Sequence, residues 1–454
     1  MVRTKSSVSD SAEMWAYRAD LAEAAVAERH ASPLWRLPRT NLAVVAWPAT
    51  PREKAFVTWH YWWQAHYLDC LVDAERRQST KARRANISRT IRGIRIRNHG
   101  NLTRNRYYDD KAWLALALGR VGEENQARRE VLADLEKPTV KTAGLPPQSK
   151  LPKLPKLLRG LGKPGLPGLS KVTRLWRRPK TRFRPLEELE FNILAGLDNV
   201  IGVLPWRTDE NFFNVPANGP AAIMMARSGR LDKAREVMGW IFDNVMADNG
   251  LVQDGIRLHA DGPRTTDISY TYNQGTVLGA ALEIAIALEN QEAGNADEAS
   301  GDAQMFYIAR IHDLVRAVAK HLATPAGVID NQRDCAPNKG GDGALFQGIL
   351  ARYLADVAVR LPDATAAGRA AKKEAARLVL ASAAAMWNNR LEVDGLPVFP
   401  VRWVEGARLP HIYGGGGASI SKAPEIPERD LSVQLSGWML LEAAARVAQS
   451  GHTG

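Results

Sequence analysis

The sequence predicts an all-α protein, and three observations lead to this prediction. Apolar residues recur at helical spacing in about thirteen segments, and no convincing run alternates with the period of two expected of a strand. Some connections are short and plain, whereas others are long and rich in Asn, Asp, Gly, Trp and Tyr. Antiparallel helix pairs place short turns at one end and decorated loops at the other. Six such pairs in a ring form an (α/α)6 barrel with a cleft at the loop end, and the same pattern also fits an open α-solenoid.

The helical segments divide the chain in order. Residues 1–12 are polar and are expected to be disordered. We expect residues 13–454 to form one α/α-barrel domain, interrupted by an insertion at 137–184. Helix 110–120 and helix 123–136 are predicted to be separated by a tight turn around Gly122. The remaining predicted helices are 10–30, 53–78, 81–97, 185–200, 217–227, 231–247, 273–290, 303–324, one opening within 340–354, 364–387 and 430–449.

Residues 137–184 differ from the rest of the chain. They contain 14 Lys or Arg, no acid and 8 prolines, in repeats such as LPKLPKLL and KPGLPGL. Proline removes backbone donors and prevents long helices, so the pattern indicates a flexible basic insertion without a core of its own. Its basic and leucine residues also suit an anionic membrane surface.

Composition is that of an ordinary soluble globular chain, with 454 residues, 45% of them hydrophobic and 24% charged. No apolar run approaches the 18 residues or so of a membrane span, and the polar N-terminus does not resemble a secretory signal. Two cysteines, Cys70 and Cys335, are too few for a disulfide framework or a zinc cluster. These features predict a cytoplasmic protein.

The formal net charge of +12 invites a nucleic-acid interpretation, but the charge is local. The 14 basic residues of 137–184 exceed the whole net charge, and the acid-free stretch 76–106 holds 11 more. The remainder of the chain is acidic. The aromatic-rich loops and the basic runs also occupy different segments, so nucleic-acid binding ranks last among the functions considered.

The stretch from Tyr107 to Trp113 (YYDDKAW) places two adjacent acids among three aromatics, directly before an apolar helical run. Acids at that point lie in the first turn of a helix, near the positive end of its dipole. Their side chains point about 100° apart, but they can flank one small object such as a sugar ring and its glycosidic oxygen. Retaining glycoside cleavage needs carboxyls roughly 5–5.5 Å apart, which neighbours meet more easily than the roughly 6.5–9.5 Å of inversion. The plainer interpretation of an isolated Asp-Asp is a helix cap.

A second polar set lies on the predicted helix 53–78. His66, Asp69 and Asp73 fall at i, i+3 and i+7 and therefore share one face. A metal site there would need a convergent partner elsewhere in the chain. The favoured interpretation is a polar cavity or ion pairs within the core, and no metal or cofactor is expected.

Four motifs together resemble glycoside hydrolase family 76, the α-1,6-mannanase family. They match the family's motifs in order and spacing across about residues 53–450, and the adjacent acids are the most specific of them. The motifs are YYDDKAW (107–113), FNVPANGPAA (213–222), TYNQGTVLGA (271–280) and GGDGALFQGILARYL (340–354).

The resemblance implies an (α/α)6 barrel that hydrolyses α-1,6-mannosidic linkages with retention, as an endo-α-1,6-mannanase does. By position, Asp109 matches the nucleophile and Asp110 the acid/base. Side chains in the matched loops are expected to contact the sugar. Those expected to hydrogen-bond its hydroxyls are Asn214, Asn218, Asp254, Tyr272, Asn273 and Gln274, and those expected to stack on its faces are Trp62, Tyr108 and Trp206.

The chain departs from the family's usual pattern in lacking a signal and in carrying the insertion 137–184. These departures suggest a monomeric enzyme in the cytoplasm or at the inner face of the membrane. Its expected partner is an α-mannan oligosaccharide or a mannosylated lipid. The insertion is the expected contact with an anionic membrane.

Two rival functions remain open from the sequence. One is another α/α-barrel sugar enzyme, such as an epimerase, which would want a pair of histidines in the cleft, or an unsaturated glucuronyl hydrolase. The other is a non-catalytic carbohydrate- or lipid-binding helical protein, in which replacing Asp109 and Asp110 by Asn would leave all function intact.

Overall fold

The computed structural model describes residues 12–136, 185–292, 298–330, 332, 334, 340–363, 365–409 and 426–452. The expectations of a disordered N-terminus and of a flexible insertion at 137–184 fall outside these residues, except that Ala12 opens the first helix. Cys335 lies outside them as well, and Cys70 is a buried free thiol.

Twelve long helices of the described chain alternate between an inner and an outer layer, which confirms the (α/α)6 barrel. Neighbouring inner helices pack on one another, as α9 does on both α7 and α11, and α13 on both α11 and α3. The inner helices are α3 (Tyr61–Arg77), α5 (Tyr108–Glu136), α7 (Val215–Arg227), α9 (Thr271–Glu292), α11 (Asp342–Arg360) and α13 (Leu431–Gln449). The outer helices are α1 (Ala12–Arg29), α4 (Lys81–Arg97), α6 (Pro185–Leu194), α8 (Leu231–Asn244), α10 (Glu298–His321) and α12 (Ala366–Asn388).

Two predicted helix boundaries were wrong. The predicted helix 53–78 is broken. A single turn, α2 (Pro51–Lys54), is separated from α3 by residues 55–60, in which Phe56 and His60 adopt positive φ of 52° and 42°. The predicted turn at Gly122 does not form, and α5 runs through it. Of the unit that comprises residues 122–185, the structure describes only the continuation of α5 to Glu136 and Pro185 at the start of α6.

Seven short strands lie in the loops of the described part of the chain, although the sequence showed no strand pattern. Their two to five residues are too few to display a period of two. Three form one antiparallel sheet, β3 (Phe212–Asn214), β4 (Gly255–His259) and β5 (Gly262–Thr265), which pairs Asn214 with Gly255. The others form two antiparallel pairs, β1 (Ala31–Ser32) with β2 (Leu42–Ala43) and β6 (Leu391–Val393) with β7 (Leu396–Val398).

Polar residues at the starts of inner helices satisfy backbone donors there. Asn214 caps α7 by accepting from the Ala217 amide at 3.3 Å, and Asp430 caps α13 by accepting from the Ser432 amide at 2.9 Å. Because successive inner helices of such a barrel run in the same direction, their capped starts collect at one end. The loops before α3, α5, α7, α9 and α11, together with the N-terminal parts of α3, α5, α9 and α11, supply the residues of the cavity described below.

The polar face predicted on α3 forms ion pairs within the core. Asp69 and Asp73 each bond both Arg120 of α5 and Arg352 of α11, which joins three inner helices. Burial alone would raise the pKa of Asp73, but the two guanidinium groups outweigh it and hold the pKa well below its ordinary value. Among the described residues no cluster of His, Cys, Asp and Glu could hold a metal ion. None of the described helices combines the length and the apolar composition needed to span a bilayer.

Candidate active site

A cavity of about 790 Å³ opens at the starts of the inner helices. Seven of the predicted site residues line it, namely Trp62, Asp109, Asp110, Trp206, Asn214, Asp254 and Tyr272. Eleven other described residues also line it, namely His60, Tyr107, Trp113, Phe212, Arg257, Thr266, Tyr270, Asp334, Asp342, Gly343 and Phe346. The lining is therefore rich in carboxyl groups and aromatic rings.

The loop before α5 holds the acid pair in position. The Asn105 side chain accepts a hydrogen bond from the Tyr107 amide at 2.9 Å, and the Tyr108 amide donates to the Trp206 carbonyl at 2.9 Å. These contacts make α5 begin at Tyr108, so that Asp109 and Asp110 fall in its first turn. The predicted location of the acids is confirmed, and both are partly exposed to the cavity.

Asp109 is surrounded by donors suited to an ionised carboxylate. Its Oδ2 accepts from the Trp206 indole at 3.0 Å and its Oδ1 from the Asp110 amide at 2.9 Å. Burial raises the pKa of Asp109, and these hydrogen bonds limit the rise to about 6. Asp109 is therefore largely ionised at neutral pH.

Asp110 has fewer stabilising contacts than its neighbour. Its Oδ2 accepts a 2.6 Å hydrogen bond from the Asn105 amide group. Burial, followed by the nearby charge of Asp109, raises the pKa of Asp110 well above the ordinary value. The pair thus shares its protons unequally, with Asp110 retaining a proton at a pH where Asp109 has lost one.

Tyr108 lies outside the cavity. Its ring packs under the Lys111 ammonium, which is 3.8 Å from the ring centroid, and fills the space beside Gly196. Lys111 also donates to Asn192 of α6 at 2.8 Å, and burial lowers the pKa of its ammonium to about 8. Tyr108 therefore supports the start of α5 and is not available to stack on a ligand in this cavity.

The predicted amide side chains mostly support the surrounding loops. Asn218 is fully buried and bonds the amide and carbonyl of Leu204 at 2.8 Å, and Gln274 does the same for Val252. Neither lines the cavity, so we do not retain them as substrate contacts. Asn214 both lines the cavity and caps α7.

Asn273 does not line the cavity but contacts Asp254, which does. It is fully buried behind the cavity wall and donates to Asp254 Oδ1 at 3.1 Å. Burial raises the pKa of Asp254 to about 6 despite this hydrogen bond. Asp254 itself lines the cavity and contributes to the raised pKa of Asp109 through its charge.

Sequence reasoning missed the acids on the wall formed by α11 and the loop before it. Asp342 Oδ1 accepts from the indoles of Trp62 at 3.2 Å and Trp63 at 2.9 Å. Asp334 accepts from the Thr271 amide at 2.9 Å, and burial raises its pKa to about 7. Asp342 stands within the motif GGDGALFQGILARYL, whereas no local pattern marked Asp334.

Aromatic rings form the other parts of the wall. Tyr272 stacks on Phe346 with ring centroids 3.7 Å apart and planes at 5°, and Trp62 lies 6.2 Å from the same ring. Trp206 packs edge-on against Tyr107 at 5.2 Å beside the acid pair. Aromatic faces next to paired carboxyls suit a polyhydroxylated ring, whose C–H groups contact the rings while its hydroxyls reach the acids.

Comparison with known proteins shows what the chain is similar to. Residues 198–408 match the model of glycosyl hydrolase family 76. No curated protein matches the chain. Among solved structures, the chain is similar to the GH76A α-1,6-mannanase of Salegentibacter sp. HEL1_6, at 22% identity and a TM-score of 0.64 over 95% of this chain and 99% of that one. A variant of that enzyme, inactive through replacement of two adjacent aspartates by alanine, was solved in complex with α-1,6-mannotetraose.

Two further structures share the fold. A Listeria innocua protein is 21% identical, with a TM-score of 0.64 over 97% of this chain and 99% of that one. Dfg5 from Chaetomium thermophilum, solved with glucosamine, is 13% identical, with a TM-score of 0.57 over 98% of this chain and 92% of that one. The resemblance to glycosyl hydrolase family 76 predicted from the sequence thus agrees with the family model over residues 198–408, and the predicted barrel fold is confirmed.

Proposed function

We propose that the chain hydrolyses α-1,6-mannosidic linkages with retention, with Asp109 as the nucleophile and Asp110 as the acid/base. The observation that carries this proposal is the unequal proton affinity of two adjacent carboxyls on one cavity. Asp109 has the two donors that keep a carboxylate ionised, whereas Asp110 keeps its proton. These are the protonation states that the first step of a retaining mechanism requires.

The two steps follow from these states. Asp110 protonates the glycosidic oxygen while the Asp109 carboxylate attacks the anomeric carbon, which gives a mannosyl-enzyme ester and releases the leaving sugar. Once the ester forms, the charge of Asp109 is gone, and the pKa of Asp110 falls because that charge contributed to raising it. Asp110 then accepts a proton from water, which attacks the anomeric carbon and frees Asp109.

The substrate class rests on two considerations. The Salegentibacter enzyme is an α-1,6-mannanase, and its inactive variant with two adjacent aspartates replaced binds an α-1,6-mannooligosaccharide. The present chain also has adjacent aspartates, on a cavity whose volume of about 790 Å³ accommodates a short oligosaccharide. A mannan oligosaccharide or a mannosylated lipid is therefore the proposed substrate, and internal linkages are the proposed site of cleavage.

One observation favours hydrolysis over epimerisation. His60 is the one histidine among the described residues of the cavity lining. Its ring stacks on Trp63 at 4.1 Å, and burial lowers its pKa. An epimerase that moves a proton at carbon would want two such groups facing each other.

Location and assembly are proposed on the sequence alone. We propose a monomer in the cytoplasm or at the inner face of the membrane, with the basic segment 137–184 as a contact with anionic lipid. The vesicle experiment below distinguishes this segment from another candidate contact.

The test is hydrolysis of α-1,6-mannotetraose by the parent chain and by Asp109→Asn, Asp110→Asn and Asp267→Asn. Asp267 is an exposed acid on the loop after β5, so its replacement is a matched control and is expected to leave the rate unchanged. We expect kcat/KM to fall about 10²- to 10⁴-fold for Asp110→Asn and at least as far for Asp109→Asn. Activity retained in both variants would refute the proposal.

Azide separates the two roles. With an aryl α-mannoside whose leaving group needs no protonation, azide is expected to restore turnover of Asp110→Ala and to give the α-mannosyl azide. With Asp109→Ala it is expected to give the β-mannosyl azide, since it then attacks in place of the missing carboxylate. The opposite assignment of products would exchange the two roles.

A further inference from the structure

The outer surface around the C-terminal half of α4 carries many exposed cations. We call this surface the basic face and define it by seven exposed residues: Arg36, Arg39, Arg52, Lys54, Arg89, Arg92 and Arg95. On α4 the last three follow one another at i, i+3 and i+6, so they share one side of the helix. The other four come from the two loops that pack beside it.

Hydrogen bonds join these loops and the helix into one surface. The Trp35 indole donates to the Ala55 carbonyl at 2.8 Å, which ties the first loop to the second. Arg97 at the end of α4 donates to the Phe56 carbonyl at 2.9 Å. The backbone N–H of Asn41 donates to the backbone carbonyl of Arg89 at 3.2 Å, where the first loop crosses the helix.

Few acids occur in the stretch of sequence that carries this surface. Residues 31–108 contain 15 Lys or Arg and four acids. Glu53 closes a capping box on α2, while Asp69, Asp73 and Glu75 point into the core side of α3 or its buried ion pairs. The opposite end of α4 is different, because Asp20 and Glu23 pair there with Arg83. Of the four acids in residues 31–108, only Glu53 therefore lies on the loops that adjoin the C-terminal half of α4.

Large apolar side chains project from the same loops. Trp35 is 49% exposed, Leu37 38% and Val57 54%. Trp35 adopts the left-handed region at φ 49°, in a turn that keeps its ring at the surface. The Trp35 N–H already has a hydrogen-bond acceptor, and two aliphatic side chains lie near it among arginines. Side chains of these types enter the headgroup region of a bilayer. Leu37 and Val57 offer no flat face on which a nucleic-acid base could stack.

The basic face adjoins the mouth of the cavity. Val57 precedes His60, a lining residue, by three positions, a span of at most about 11 Å. Arg97 at the end of α4 lies over the ring of Trp59, the residue before His60, at 5.0 Å from its centroid. A surface bound to this face would lie close to the cavity entrance.

We propose that the basic face docks on an anionic lipid bilayer, with Trp35, Leu37 and Val57 entering the headgroup region. Charge complementarity supplies the long-range attraction, and the three apolar side chains add contact area that an aqueous polyanion would not use. This proposal does not depend on the reaction that the cavity catalyses. It places a contact on the barrel itself, in addition to the one proposed for residues 137–184.

The test is sedimentation of the full chain with vesicles of phosphatidylcholine, with or without 30 mol% phosphatidylglycerol. We expect binding to the anionic vesicles only. Arg39→Gln/Arg92→Gln is expected to weaken the partition coefficient about thirtyfold, the contribution of two cations at an anionic surface. The control Lys233→Gln/Lys373→Gln removes the same amount of charge from the exposed surfaces of α8 and α12. It is expected to change the partition coefficient less than twofold.

A second pair of variants tests insertion. Val57→Ser is expected to weaken binding about tenfold, because it removes two carbons from the buried contact. Val200→Ser, at a valine that is 93% exposed elsewhere, is the matched control and is expected to have no effect. Rates on a soluble oligosaccharide and thermal unfolding are followed for every variant and are expected to stay unchanged.

Several outcomes would overturn the proposal. Absence of binding by the parent chain, or equal binding by the Arg39/Arg92 variant, would assign any membrane contact to other residues, including 137–184. If the Lys233/Lys373 control lost as much vesicle binding, the net charge of the protein and not this face would explain the effect. If the Arg39/Arg92 variant bound a 20-base-pair DNA duplex more weakly than the parent chain but bound vesicles equally well, the face would be a nucleic-acid surface.

Discussion

Replacing Trp206 by Phe removes one hydrogen bond from the Asp109 carboxylate and keeps an aromatic ring in place. The indole N–H donates to Asp109 Oδ2 at 3.0 Å, and the ring packs edge-on against Tyr107 and Phe212. A phenyl ring retains much of that packing. The substitution therefore tests whether the donor, and not the ring, keeps Asp109 ionised.

The size of the effect follows from the strength of such a bond. A hydrogen bond to a charged group contributes about 1.5–3 kcal/mol, which corresponds to about one to two pKa units. Because the cavity admits water, we use the lower end of this range. The pKa of Asp109, about 6 in the parent chain, is then expected to rise to about 7. At pH 6 the ionised fraction falls about fivefold, and kcat/KM falls with it.

The assay is the pH profile of kcat/KM on α-1,6-mannotetraose. We expect its acid limb to move up by about one pH unit in Trp206→Phe. At pH values above that limb, kcat/KM is expected to fall less. Trp62→Phe is the matched control, since its indole lines the same cavity but donates to Asp342 at 3.2 Å. An acid limb that stays in place in Trp206→Phe, or one that moves equally in both variants, would refute the reasoning.

Three further predictions concern the core and the other acids. Arg352→Met leaves two buried aspartates short of a partner and is expected to cost about 3–5 kcal/mol in urea unfolding, whereas Arg264→Met, at a 64% exposed arginine, is expected to cost less than about 1 kcal/mol. Asn105→Ala removes the 2.6 Å hydrogen bond that lowers the pKa of Asp110, so the alkaline limb of the pH profile is expected to move up by about one unit. Asp334 has its pKa raised to about 7 in the folded chain, so its ionisation destabilises the fold progressively as pH rises from about 4 to 7. Asp334→Asn is therefore expected to raise the free energy of unfolding at pH 8 by at most about 4 kcal/mol more than at pH 4. Equal effects on urea unfolding at the two pH values would contradict this.

The acid pair could be located from the sequence because its signal is local. Two acids before an apolar helical run identify a first turn, and the structure starts α5 at Tyr108. The core role of Asp69 and Asp73 was also within reach, because spacing on one helix shows which side chains share a face. Their partners Arg120 and Arg352 come from other helices and had no such signal.

Other parts of the site depend on which loops meet in space. Asn218 and Gln274 stand in the same sequence motifs as residues that line the cavity, yet they bond loop backbones, which only the fold reveals. Asp342 reaches the cavity from more than 200 residues beyond the acid pair, and its two indole donors come from α3. Residue type and local spacing do not distinguish these two kinds of polar residue.

The stereochemistry of the first product tests the central claim most directly. NMR of α-1,6-mannotetraose during the first minutes of hydrolysis, before mutarotation, reports the anomer released. A nucleophilic Asp109 beside a protonated Asp110 predicts the α-anomer, which then mutarotates to the equilibrium mixture. Initial release of the β-anomer would contradict the account, because water would then have attacked directly and Asp109 would have formed no bond to the sugar.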